Sequence, residues 1–227
     1  MRVVVSIGGS VLVPELDAGR VSAYAETLLD LVEAGHEPGV VVGGGPAARE
    51  YIGAARELGA DEISLDRIGI EVTRLNARLL VEALGDAAVS HPIEDVEGAR
   101  EVFQRGAIPV LGGTAPGHTT DAVAAGVAEH ADADLLVYAT SVDGVFEADP
   151  SEDDTAKRFD RLSPAELVDV VGKIELAAGS NAPVDLLAAK LLRRSGLHAV
   201  VLDGSDPGCI AAAVAGEHDG TDILPGA

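Results

Sequence analysis

The sequence predicts an α/β fold, a mostly parallel sheet with helices on both faces. Three observations predict it. Short β-branched runs alternate with longer Ala- and Leu-rich stretches, the pattern of repeated strand–helix units. The strand candidates are continuous apolar runs instead of alternating ones, as expected of strands covered on both sides. Hydrophobic residues make up 47% of the 227 residues but aromatics only 3%, with no Trp, so the core is built from Ala, Val, Leu and Ile.

Residues 2–7 read as the first buried strand, because their valines are nearly unbroken. A helix follows over 21–34, closed by Gly35, and then a strand over 39–42. The next helix, 46–58, carries proline in its first turn, a favoured place. Residues 66–84 read as a longer helix, and 96–105 as a helix leading into a strand at 108–111. A helix over 120–131 leads into a strand at 135–138. Helices at 164–171 and 185–194, a strand at 199–202 and a helix at 206–215 complete the alternation. The polar stretch 149–160 reads as a loop too short to separate independent domains, so one domain over 1–227 is expected.

Charge excludes whole classes of partner. With 38 acidic and 16 basic residues the net charge is −22. Neither nucleic acid nor an anionic membrane would be attracted. The lysines are only Lys157, Lys173 and Lys190. High acidity, scarce lysine and many small residues suggest a protein solvated in concentrated salt, where screening removes self-repulsion, beside the plainer reading of an acidic mesophilic protein. The lone Cys209 permits no intrachain disulfide. The opening MRVVVSIGGS is too short an apolar run for a signal peptide, and no stretch reaches the length of a membrane helix. The expected location is the cytoplasm.

The chemistry concentrates in glycine-rich turns. Three strands run into one: VVVSIGGSV with Gly8, Gly9 and Ser10; VVVGGGPAARE with Gly43, Gly44, Gly45 and Arg49; and PVLGGTAPGHTTDAVAA from Gly112 to Asp121. Glycine lets a phosphate approach the backbone, and a helix N-terminus presents free N–H groups and a positive dipole end. Three such turns fit a site for more than one phosphate-bearing group. Neither G-x-x-x-x-G-K-[ST] nor G-x-G-x-x-G stands at a strand–helix junction, which argues against a P-loop enzyme or a standard dinucleotide fold. There is no Ser/His/Asp triad. Arg49 in a first helical turn opposes the dipole, so an anion partner is expected there. Asp66 could serve simply as a helix cap. Asp143-Gly144 and Asp149-Pro150 read as turns. Lys190 reads as a solvated residue, and Lys173, after Gly172, is a weaker phosphate candidate.

The segments SIGGSVLVP, VVVGGGPAAREYI, IGIEVTRLNARLL, GGTAPGHTTDAVAA and TSVDGVFEADP stand in this order across most of the chain. In that order they resemble the archaeal uridylate kinases, within the amino-acid kinase family. The resemblance implies a three-layer αβα sandwich, a homohexamer, and transfer of the ATP γ-phosphate to UMP in pyrimidine nucleotide biosynthesis, with Mg²⁺ and with feedback by UTP. It places Gly9, Ser10, Gly45 and Arg49 on the ATP phosphates. Thr140, Ser141, Phe146 and Asp149 would hold the adenosine. Gly44, Asp66, Thr114, Ala115, Pro116, Gly117, His118, Thr119 and Thr120 would hold UMP. Asp121 and Asp185 match acidic positions at the transfer site. The resemblance implies no protein-held metal cluster, since Mg²⁺ is carried mainly by the phosphates. The nucleophile is a phosphate oxygen already anionic at neutral pH, so positioning and charge neutralisation are the task, not base catalysis. His118 is therefore not needed as an acid or base.

Three positions depart from the family pattern. Ser6 stands where many amino-acid kinases carry lysine, and Ser141 and Phe146 stand where Asn and Tyr are common. Other acceptors remain open at this stage: carbamate, acetylglutamate or isopentenyl phosphate. So does a nucleotide-binding sensor or storage protein without turnover, for which Ser6 is the main support.

Overall fold

The computed structural model describes residues 1–148, 150, 153, 155–175 and 183–226. Its centre is a seven-stranded sheet in the order β3-β2-β1-β4-β6-β7-β5. The strands are β1 (Arg2–Ile7), β2 (Glu37–Val42), β3 (Val110–Leu111), β4 (Leu135–Thr140), β5 (Arg161–Leu162), β6 (Ala199–Asp203) and β7 (Thr221–Ile223). From β3 through β6 every neighbour is parallel, and only β6–β7 is antiparallel. The predicted mostly parallel sheet is therefore what forms.

The helices are α1 (Gly9–Leu12), α2 (Ala18–Glu33), α3 (Gly45–Glu57), α4 (Glu62–Leu84), α5 (Val96–Gln104), α6 (Thr120–His130), α7 (Pro164–Glu175), α8 (Leu186–Ser195) and α9 (Gly208–Ala215). The period-two alternation of β1 sends its side chains into two cores. Val3, Val5 and Ile7 pack with residues of α2, α4 and α9 on one face. Val4 packs with residues of α5, α6, α7 and α8 on the other. Ser6 shares that second face by the same alternation, which aims it at α6.

Several expectations are corrected in detail. The long helix begins at Glu62, not Asp66, because Asp61 caps it by accepting from Ser64 N–H at 2.9 Å. Asp66 is therefore a second-turn residue and caps nothing. Arg49 is the fifth residue of α3, past the first turn. The strand expected at 108–111 narrows to two residues, with Ile108 held by an isolated bridge to Ala88. Part of the expected loop 149–160 pairs back on the chain: Phe146 bridges Arg158, and Glu147 N–H donates to Lys157 O at 3.0 Å. The glycine turn after β1 winds at once into the four-residue α1.

Candidate active site

Parallel strands put their carboxyl ends on one edge, so the turns after β1, β2, β3, β4 and β6 share it. The chain winds outward from β1 through β2 to β3, then returns to β4 on the other side of β1. This is a topological switch point, the place where an open α/β sheet leaves a crevice for ligands.

The first two glycine turns meet backbone to backbone. A Cβ on Gly9 would lie 2.1 Å from Gly45 N, and one on Gly43 would lie 2.5 Å from Gly9 N. Gly45 also adopts a φ of +63°, a conformation that favours glycine. These glycines are thus required by close approach, whatever they bind. Gly44 occupies the N-cap of α3 with no side-chain cap, which leaves the first N–H groups of that helix for another acceptor. Arg49 reaches back over the turn and donates to Ser10 Oγ at 3.4 Å. Among the described residues no carboxylate pairs with its guanidinium.

The third glycine turn rests on α4. A Cβ on Gly112 would lie 2.5 Å from Thr73 Oγ1. Gly113 N–H donates to Thr73 Oγ1 at 2.6 Å, and Arg74 Nε donates to Gly113 O at 3.3 Å. Further along, Asp66 Oδ2 accepts from Gly117 N–H at 2.8 Å, where φ is +80°. Asn76 Nδ2 donates to Gly43 O at 2.9 Å and to Gly44 O at 3.1 Å. Thr73 and Asn76 were not singled out from the sequence, although a polar pair three apart on an apolar helix face is a readable signal.

A small polar chain lies between the turns. Ser6 Oγ donates to Asp121 Oδ1 at 2.9 Å. Asp185 caps α8 by accepting from Leu187 N–H at 2.7 Å and Ala188 N–H at 3.1 Å. Its other oxygen accepts from Thr119 Oγ1, and Thr119 in turn caps α6. Asp121 lies deep at the base of the crevice while part of it still meets water. Burial pushes its carboxyl up to about 7; the Ser6 hydrogen bond opposes the rise and the charge of Asp185 adds to it. Tyr138, beside Ser6 in register on β4, donates to Asp121 O at 3.3 Å, and burial raises its phenol well above the ordinary value.

The structure thus brings Gly9, Ser10, Gly44, Gly45 and Arg49 together, joins Asp66 to Gly117, and joins Asp121 to Ser6 and Asp185 to Thr119. Thr114, Ala115, Pro116 and the exposed His118 fill the loop between, where His118 N–H donates to Ala115 O at 3.2 Å. Thr120 opens α6. Thr140 lies at the end of β4, but its hydroxyl is turned to Val142 O at 2.9 Å. Ser141 is exposed and Phe146 half-buried; their described contacts do not include the glycine turns. Asp149 lies outside the described residues. Lys173 and Lys190 are exposed on α7 and α8. A cavity of about 560 Å³ opens past this end, between Asp143, Arg158, Asp203, Cys209 and His218. Among the described residues no group of three His, Cys, Asp or Glu side chains is placed to hold a metal ion.

Residues 1–203 match the model of the amino acid kinase family. The chain is 62% identical over 225 residues to a uridylate kinase of Natronomonas pharaonis, covering 99% of each. It is also 62% identical over 226 residues to a uridylate kinase of Halobacterium salinarum, covering 99% of this chain and 94% of that relative. The crystal structure of uridylate kinase from Archaeoglobus fulgidus superposes with a TM-score of 0.89 at 46% identity, covering 99% and 100% of the two chains. That of UMP kinase from Bacillus anthracis does so with a TM-score of 0.82 at 26% identity, covering 100% and 96%.

Proposed function

The chain belongs to the amino acid kinase family, and from that premise we propose that it is a UMP kinase, moving the γ-phosphoryl group of ATP to the phosphate of UMP to give ADP and UDP. The observation that carries the reading is the junction of the glycine turns at one sheet edge. Two turns in backbone contact and a third tied to the same helix make adjoining anion sites. Phosphate-to-phosphate transfer needs two such sites in line.

In this reading Gly9, Ser10 and Gly45 offer backbone N–H groups to the ATP phosphates, and Arg49 supplies the cation above them. Thr140, Ser141, Phe146 and Asp149 take the adenosine. Gly44, Asp66 and the loop from Thr114 through Ala115, Pro116, Gly117 and His118 to Thr119 and Thr120 take UMP, with Asp66 fixing the loop through Gly117. Asp121 and Asp185 stand at the transfer point. Mg²⁺ would supply charge neutralisation and would be held mainly by the ATP phosphates, with Asp121 and Asp185 as the nearby carboxylates that could approach it. Ser6 leaves the carboxyl end of β1 without a cation, so neutralisation falls to Arg49, the helix N-termini and the metal.

The same reading extends to the assembly and setting. A homohexamer follows from the family resemblance, and apolar side chains exposed on α3 and α4, among them Tyr51, Ile63 and Leu75, leave surface for self-association. UTP shares the uracil of UMP and the triphosphate of ATP, so feedback by competition is expected. No helix among the described residues is long and apolar enough to cross a membrane, and we place the enzyme in the cytoplasm, serving pyrimidine nucleotide biosynthesis.

The test is an acceptor panel in MgATP and concentrated KCl: UMP, CMP, carbamate, acetylglutamate and isopentenyl phosphate. ADP release confined to UMP is expected. Turnover with another acceptor moves the assignment, and nucleotide binding without ADP from any acceptor sinks it.

A further inference from the structure

We propose that Thr73 and Asn76, on the inner face of α4, are positioning residues that fix the distance between the turn after β2, which carries Gly44 and Gly45, and the acceptor turn after β3. The inference rests on the kinase reading above. Both side chains are nearly shut off from water, at 7% and 3% exposure, on a helix face whose other buried residues are Leu65, Val72, Ala77, Leu80, Val81 and Leu84. Polar groups buried in such a face cost stability unless they are hydrogen-bonded. These two direct their bonds at the turns. Asn76 gives its amide nitrogen to Gly43 O and Gly44 O, on the turn that follows β2. Thr73 works as a wedge. Its hydroxyl accepts from Gly113 N–H at 2.6 Å and donates to Ile70 O at 2.6 Å. Its methyl faces the other turn, where a Cβ on Gly44 would lie 3.4 Å from Thr73 Cγ2.

The spacing makes this one device. Positions 73 and 76 are three apart, and Asp66 lies seven before Thr73, two turns along the same face. The one helix therefore holds Gly43 and Gly44, then Gly113, then Gly117. Glycines have no side chains with which to anchor their own turns, so the separation is set from outside. In-line transfer needs reacting atoms about 3–3.5 Å apart, and a misplacement of about 1 Å can cost about 100-fold. A rigid helix touching both turns meets that demand.

Three variants test it: Thr73→Val, which keeps shape and removes the hydroxyl; Thr73→Ser, which keeps the hydroxyl and removes the methyl; and Asn76→Ala. Thr73→Val and Asn76→Ala are expected to lower kcat on UMP by about tenfold or more through misalignment, with KM for ATP changed far less. Thr73→Ser is expected to recover most of the loss. Amide hydrogen exchange gives a second reading that needs no turnover. Thr73→Val should speed exchange at Gly113 about fivefold, the loss of one hydrogen bond, and Asn76→Ala should loosen 43–45. If Thr73→Val does not fold, Asn76→Ala, read by kcat and by exchange at 43–45, carries the test alone. Folded variants with wild-type kcat, or with kcat and melting temperature falling together and no recovery by Thr73→Ser, overturn the proposal. Unchanged exchange at both turns does the same. A wild type inactive on every acceptor refutes the kinase reading, and exchange still decides the tether.

Discussion

Asp121 shows how a single residue can be placed against stability. Its carboxyl is pushed up to about 7 by burial, with the Asp185 charge adding and the Ser6 hydrogen bond opposing. The folded protein therefore keeps a proton that the unfolded chain releases near the ordinary carboxylate value. Stability from this group is intact at low pH, falls as pH rises from about 4 to about 7, and is fully lost above that. Asp121→Asn removes the titration while leaving an oxygen for Ser6 Oγ. The variant is expected to melt higher than the wild type at pH 8, with the gap closing toward pH 4, and to lose kinase activity. Paired melting curves across that range, at fixed KCl, check it. A gap independent of pH would show that Asp121 carries no such penalty. A strongly perturbed carboxyl in a crevice is a functional-site candidate. Ser6 explains why no lysine neutralises it. At 2% exposure, hydrogen-bonded to Asp121 and in register with Tyr138, it is packed into the sheet.

At the scale of elements, Asp185 tests whether a cap is also part of the site. It closes the N-terminus of α8 and binds Thr119 at the head of α6, so it joins two helix ends. Asn caps about as well as Asp, whereas Ala costs about 1 kcal/mol. Asp185→Ala is therefore expected to lower the melting temperature by about 2–4 °C for a chain of this size, and Asp185→Asn to leave it nearly unchanged. If the carboxylate serves the transfer, both variants lose kcat alike. Activity that tracks stability, with Asp185→Asn fully active, would reduce Asp185 to a cap. The sequence made the main elements legible because β1, β2, β4 and β6 are continuous apolar runs between amphipathic stretches. It did not disclose β5 and β7, of two and three residues, because pairing with neighbours and not local pattern makes them strands. The sequence puts the start of α4 at Asp66, four residues late, because Asp61 caps through Ser64 without the acidic third residue of a capping box. In the site, the glycine turns were legible, whereas the contact between Gly9 and Gly45 and the tethers from Thr73 and Asn76 exist only once the strands align.

At the scale of the whole molecule the charge sets the working conditions. Even if every Lys and Arg were paired, 22 carboxylates would remain, since 38 acidic residues face 16 basic ones. Some are used locally: Asp17, Asp61, Asp95 and Asp185 cap helices, where a negative charge is favourable. The observed ion pairs are mostly exposed, as with Arg56–Glu62 and Arg105–Glu101, and such pairs contribute little. Net repulsion is therefore the dominant long-range electrostatic effect, and it acts on the substrates as well, because ATP and UMP are polyanions. The screening length falls from about 10 Å at 0.1 M salt to about 3 Å at 1 M. Repulsion between surface carboxylates should fade over that range, while the proposed N–H and Arg49 contacts to phosphate, made at close range, would persist. The melting temperature is accordingly expected to climb with KCl up to about 1 M and then level off. A continued rise beyond that point would indicate strengthened apolar burial instead of screening. Apparent affinity for UMP should improve over the same interval before chloride competes for the anion site. Titrating KCl upward from low salt on protein shown by circular dichroism to be folded separates the cases. If UMP affinity only weakens from the first addition, attraction and not repulsion governs substrate approach, and the local cations at the crevice outweigh the charge of the whole molecule.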